Sequence, residues 1–271
     1  MNHSKTTSWG LPVAIFLMSM VLQACGGGDS AAGGGTNTGP QEMSLNQAGY
    51  NSSAGSYQYG YRSIANIMIS GQPDDLDWSR WAMLHDGEVY RLYFFKVGSN
   101  TQIYPFGYNP STALYEYGYR SIPLLDIKGA PTDADPTSFA MLHDGSDYRL
   151  YMRSSSNPTR IYQFAFNKTT SDYEYGYRSI PVMDVTKAPA DVDWDRWGML
   201  HDGSVYRHYA FKKGAEDTMY QFGFNSSTSD YEYGYRSIPM LRIENMPDNS
   251  DTSDFAMLHD RTDYRFYFLV L

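Results

Sequence analysis

Aspartate recurs in this chain at spacings that could gather carboxylates around a cation. Pro73, Pro131, Pro189 and Pro247 are each followed four residues later by an aspartate: Asp77, Asp135, Asp193 and Asp251. Asp75, Asp133, Asp191 or Asn249 lies between. If these loops converge at one mouth of a ring, the four carboxylates could hold Ca2+, which accepts several oxygen ligands in flexible geometry. The same side chains can instead hold their own turns by bonding nearby backbone N–H groups. Turn-holding carries more weight, because no run fits the EF-hand calcium-loop pattern.

His85, His143, His201 and His259 each precede an aspartate. Four matched imidazoles suggest a metal site. Each falls at a hairpin tip, however, and the tips of radiating strands lie far apart, so a structural role is expected. No serine or cysteine stands at a spacing that completes a nucleophilic triad. His208 is the one unmatched histidine of the repeated region, in a column otherwise filled by Leu92, Leu150 and Phe266.

Arginine forms two columns, Arg62, Arg120, Arg178, Arg236 and Arg91, Arg149, Arg207, Arg265. Asp77, Asp86 and their equivalents supply as many carboxylates, so ion pairing is the natural role. The alternative is that some guanidinium groups, flanked by tyrosines, contact an anionic or sugar ligand. Among the tryptophans, Trp81 and Trp197 share a column with Phe139 and Phe255 and read as core. Trp78 and Trp194 have only Pro136 and Thr252 as equivalents. They are the ligand-binding candidates, since indoles stack on sugar faces and anchor protein interfaces.

The elements behind these residues come from repetition. Tyr-Gly-Tyr-Arg-Ser-Ile starts at Tyr59, Tyr117, Tyr175 and Tyr233, and Met-Leu-His-Asp at Met83, Met141, Met199 and Met257, always 58 residues apart. Such periodicity marks units that need their neighbours to bury a core. Within one copy, an apolar run ends in His201-Asp202-Gly203, and Val205 to Phe211 then alternates. An Asp-Gly pair between two such runs is a strong hairpin signal. Met219 to Phe224 reads as a third strand. The run from Tyr231 to Ile243, interrupted by Pro239, reads as a fourth and contains the repeated hexapeptide. Of 25 tyrosines, 20 occupy five columns filled by Tyr in all four copies, so tyrosine belongs to the packing plan.

The ends of the repeated region set the topology. The last copy stops after its second strand at Leu271, while Gln47 to Ser53 aligns with Gln221 to Ser227 of the third copy. Pairing two half-units closes a ring and hides its free strand edges. The fold class expected is therefore all-β, a four-bladed β-propeller sealed by N-terminal and C-terminal half-blades. In architecture it resembles hemopexin-type propellers, although the chain carries none of that family's sequence motifs. Another closed four-fold β arrangement is the alternative.

Before the repeats, Lys5 and the apolar run Leu11 to Leu22 have the form of a signal peptide, too short for a membrane span. Leu22-Gln23-Ala24-Cys25 resembles the lipobox of bacterial lipoproteins, which implies cleavage before Cys25, acylation of this single cysteine and a membrane anchor. Gly26, where inner-membrane retention would place aspartate, implies the outer membrane of the cell envelope. The expected division is residues 1–24 as signal, 25–44 as lipidated cysteine and Gly-rich tether, and 45–271 as propeller. Such a tether reaches roughly 20–25 Å. Loss of Lys5 leaves 20 basic residues (21 − 1) against 30 acidic ones, a poor match for nucleic acid.

The leading functional reading is a tethered, extracytoplasmic binding module without catalysis, with a glycan or a protein as ligand and avidity from repeated sites. A hydrolase using a metal or the carboxylate ring at the channel mouth is the rival. Against it, the polar columns are nearly identical in all copies, whereas one reaction needs differentiated groups. A purely structural envelope role is the third reading.

Overall fold

The computed structural model describes residues 41–43, 45–62 and 67–270. The signal segment, Cys25 and the Gly-rich tether lie outside the described residues. All described elements are strands or turns, and the protein is all-β.

The third copy shows the local logic. Val192–His201 pairs with Tyr206–Lys212 across the His-Asp-Gly turn, Tyr206–Lys212 pairs with Thr218–Asn225, and all three run antiparallel. Gly203 supplies the positive φ of the turn, while Asp202 accepts the backbone N–H groups of Ser204 and Val205. The Asp-Gly pair therefore works through one left-handed glycine and one side-chain acceptor. In the first strand the register slips between Asp193 and Trp197. The resulting bulge contains Trp194, and the same slip recurs at Asp77, Asp135 and Asp251.

The fourth strand differs from the sequence expectation. It is two short strands, Asp230–Tyr233 and Met240–Glu244, which pair with opposite halves of Thr218–Asn225. Only the first residue of Tyr-Gly-Tyr-Arg-Ser-Ile is in a strand, and the rest turns. Gly234 and Arg236 have φ of 72° and 43°, and Arg62, Arg120 and Arg178 adopt the same left-handed conformation. Pro239 cannot donate to a ladder, which accounts for the break. The turn folds back so closely that the Tyr235 carbonyl occupies the space a Cβ at Gly223 would need.

The break allows each sheet to reach the next. Met240–Glu244 runs parallel to Ser56–Tyr59, through Ile243 opposite Tyr57. The same parallel rung joins Ile69 to Tyr115, Ile127 to Tyr173 and Val185 to Tyr231. Leu45–Asn51 pairs antiparallel with Tyr264–Val270, near the other end of the chain. Gln41–Met43, which leads along the chain into Leu45–Asn51, pairs with Ile67–Ser70, and with this link the sheets form a closed cycle.

The core is distributed in the same way. It consists of four apolar layers, each drawn from two successive sheets; one unites Leu45, Leu258 and Tyr267 with Leu92 and Phe106. Each buried aromatic or aliphatic side chain contributes about 1.5–3 kcal/mol, but only when the neighbouring sheet is present. Tyr57, Tyr115, Tyr173, Tyr231 and Tyr93, Tyr151, Tyr209, Tyr267 are all buried in these layers. Two of the five tyrosine columns are therefore core, as the packing reading requires.

The first strands of all four sheets surround a filled axis. Trp81, Phe139, Trp197 and Phe255 crowd one level, around a cavity of only about 10 Å³.

Candidate functional site

At one end of the first strands, Asp86, Asp144, Asp202 and Asp260 organise the hairpin tips. Each accepts from the arginine five residues later: Arg91, Arg149, Arg207 and Arg265 donate through Nε at 2.5–2.8 Å. Each also accepts a tyrosine hydroxyl from the following sheet: Tyr148 to Asp86 at 2.9 Å, Tyr206 to Asp144 at 2.8 Å, Tyr264 to Asp202 at 3.4 Å and Tyr90 to Asp260 at 2.7 Å. Burial pushes these carboxyls up. The backbone N–H groups of the turn and the guanidinium outweigh it, holding Asp86 and Asp202 at about 2 and placing Asp144 and Asp260 lower still. Burial and the bond to Asp260 push the Tyr90 phenol up to about 12. The expected ion pairing is thus present for this arginine column.

The same arginines pin the broken fourth strand. Nη1 of Arg91, Arg149, Arg207 and Arg265 donates to the carbonyl of Arg120, Arg178, Arg236 and Arg62 respectively. The turn arginines consequently stand at the seams between sheets. Their carboxylate partners are not the Asp77 column but Asp263 for Arg62, Glu88 for Arg120 and Asp147 for Arg178.

Three surface pockets open at these seams, of about 160, 280 and 420 Å³ in chain order. The arginine pairs Arg91 with Arg120, Arg149 with Arg178, and Arg207 with Arg236 line them. The next sheet contributes an edge-on aromatic pair to each: Tyr148 with Phe166, Tyr206 with Phe224, and Tyr264 with Tyr50. Exposed Ile122, Ile180 and Ile238 form an apolar rim. The buried hydroxyls of Ser121 and Ser179 have no hydrogen-bond partner among the described residues and belong to residues that line their pockets, whereas Ser237 donates to the Gln221 carbonyl. The equivalent seam at Arg62 adjoins residues 63–66, outside the described set.

The sequence candidates fall elsewhere. Asp77, Asp135, Asp193 and Asp251 each accept the backbone N–H two residues on, and Asp77 and Asp193 also bind Arg80 and Arg196. They hold the bulge. Asp75, Asp133 and Asp191 each accept a tyrosine hydroxyl, from Tyr104, Tyr162 and Tyr220. Among the described residues, no three of His, Cys, Asp and Glu gather as a metal-ion site. Trp78 and Trp194, in the bulges, are half-buried against the core; Trp78 meets Phe94 edge-on at 5.4 Å.

His85, His143, His201 and His259 do not lie far apart, as the sequence suggested. They line one small axial cavity, because the first strand is innermost and its end crowds the axis. His85 and His201 accept a turn N–H through Nδ1, each of the four rings packs on the tyrosine of its own hairpin, and burial lowers all four pKa values. His208 is fully buried and held neutral, first by burial and then by the Arg153 charge. Arg153, where Phe95, Phe211 and Leu269 stand in the other copies, lies 5.1 Å from the rings of both Trp194 and Trp197.

Sequence reasoning missed the seam pockets because each joins residues of two copies. Its one pointer was the alternative that tyrosine-flanked arginines contact a sugar, and the hexapeptide arginines Arg120, Arg178 and Arg236 do line these pockets.

No protein-family model and no curated protein matches the chain. Among solved structures it is similar to AofleA from Arthrobotrys oligospora, at 10% identity and a TM-score of 0.36, covering 86% of this chain and 69% of that one. A point mutant of the Aleuria aurantia lectin with α-methyl-L-fucoside gives 13%, 0.38, 84% and 71% respectively. The SapL1 lectin with α-methyl fucoside gives 14%, 0.34, 77% and 67%. Superpositions this loose leave the chemistry to be read from the chain's own residues.

Proposed function

We propose that this protein is a multivalent glycan-binding module, a four-bladed β-propeller whose seam pockets each take one sugar residue. The single observation that carries the reading is the recurrence of one pocket chemistry at three seams. A saccharide presents hydroxyl pairs on its edge and C–H groups on its faces. The pockets offer guanidinium donors, a tyrosine ring and an isoleucine rim, which suit an amphipathic ligand. Several weak sites on one body give avidity toward a repetitive surface.

The propeller assignment is supported by the cyclic strand pairing and by the four shared core layers. The lipobox-like Leu22-Gln23-Ala24-Cys25 supports a lipid anchor at Cys25, with residues 1–24 removed and the module held at the outer membrane by a flexible tether. Labelling with a radioactive or clickable fatty acid, lost in Cys25→Ser, tests the anchor.

Probing a glycan array with the full chain tests the function, followed by calorimetric titration of the best glycan. The expected stoichiometry is three or more sugars per chain. Silence across all glycans would sink the reading, and a single site per chain would remove its multivalent part.

A further inference from the structure

The three seam pockets share the types of their lining residues but differ in charge. In the first, Arg120 Nη2 lies 3.2 Å from Glu88; in the second, Arg178 Nη1 lies 3.7 Å from Asp147. At the closing seam Arg62 lies 3.0 Å from Asp263. These acids come from two adjacent columns of the hairpin turn, and in the third copy those columns hold Ser204 and Val205. Arg236 accordingly has no carboxylate within ion-pair distance among the described residues, and its guanidinium lies over its own Tyr235 ring, 5.6 Å from the centroid. The other arginine of the third pocket, Arg207, is neutralised by Asp202 at 2.8 Å. None of the three pockets is lined by an acidic residue, so the difference lies in the turn arginine's ion pair, which only this pocket, the largest of the three, lacks.

We propose that the third pocket selects an acidic saccharide, one carrying a carboxylate or a sulfate, while the first two take neutral sugars. This rests on the glycan reading above and adds a charge specificity to one of its sites. The chain carries an excess of nine negative charges, so its long-range field repels anionic glycans. Selection must therefore come from a local uncompensated cation that binds the anionic group by charge-assisted hydrogen bonds. The gap at Ser204 and Val205 supplies it: the repeat's own counter-ion is missing, and the ligand's anionic group takes its place beside Arg236.

The test titrates the full chain with methyl glucuronide, a sulfated methyl glucoside and unmodified methyl glucoside, at low and at high salt. The expected result is one site per chain that prefers an acidic probe by about tenfold, with the preference shrinking as salt screens it. Which acidic probe binds tighter separates carboxylate from sulfate recognition. Arg236→Gln should abolish the preference. Val205→Asp copies the residue found at 147 and 263, so it should also abolish the preference while leaving neutral-sugar binding unchanged. Neutral binding with no acidic preference, or a preference that survives both substitutions, overturns the charge assignment alone. Absence of binding to every probe and to the whole array overturns the glycan reading and this inference with it.

Discussion

Replacing Asp86 with alanine tests whether the hairpin-tip network holds the ring together. Asp86 accepts from the Glu88 and Val89 backbone at 3.0 and 2.8 Å, from Arg91 Nε at 2.6 Å and from the Tyr148 hydroxyl of the next sheet at 2.9 Å. The Arg91 and Asp86 side chains are only 10% and 6% exposed. Removing one partner of such a pair strands the other charge, at about 3–5 kcal/mol. Losing a local acceptor for turn N–H groups costs about 1 kcal/mol more. Allowing for non-additivity, the expected loss is about 4 kcal/mol, or a fall in Tm of about 10 °C for a domain this size. Differential scanning calorimetry of Asp86→Ala reads it directly. Asp77→Ala is the control. Arg80 keeps its bonds to Asn100 and to the Lys96 and Ser99 carbonyls when Asp77 is gone, so about 1 kcal/mol is expected. A double-mutant cycle with Arg91→Leu should recover about 2 kcal/mol of coupling. A loss below about 1 kcal/mol for Asp86→Ala would falsify the claim that this network is a main support of the ring.

The remaining predictions use the same structure. Burial holds the four axial histidines below their ordinary 6.5. The unfolded chain then binds more protons, so their contribution is complete above about pH 6.5 and is lost as pH falls toward the folded values. A steeper loss should follow below pH 3.8, as acid reaches Asp86 and Asp202 at about 2; Tm measured across pH 2–8 should show both phases, and a flat profile between 6.5 and 5 contradicts the histidine account. His208→Leu places there the leucine of the first two copies and removes two buried ring nitrogens that have no hydrogen-bond partner among the described residues. It should raise stability by about 1–2 kcal/mol, and a lower Tm would show that the imidazole has a partner role. Trp78→Ala with Trp194→Ala should lower Tm by several degrees through lost packing and leave glycan affinity intact; the reverse pattern would return the indoles to the binding site.

The local devices of this fold were legible in the chain. The 58-residue period, the Asp-Gly turns, the tyrosine columns and the aspartates that hold bulges depend on neighbours a few residues away, and each has a side-chain signature. The break in the fourth strand was half legible, since Pro239 marked the interruption. The left-handed Arg236 and the parallel rung from Ile243 to Tyr57 did not show, because that pairing crosses between copies.

Sequence by itself thus determined that the protein is all-β and built from repeated units. Repeated turn chemistry and alternation leave a chain few other ways to bury its apolar faces. Only the tertiary structure decided which repeated residues meet. It drew the histidines to the axis because the first strands are innermost. It set one arginine column against its own hairpin aspartates and turned the other toward the seams. The pockets arise between copies, where Tyr264 of one meets Arg236 of another. A residue's column is written in the chain, but its partner across a seam depends on how neighbouring sheets twist and pack.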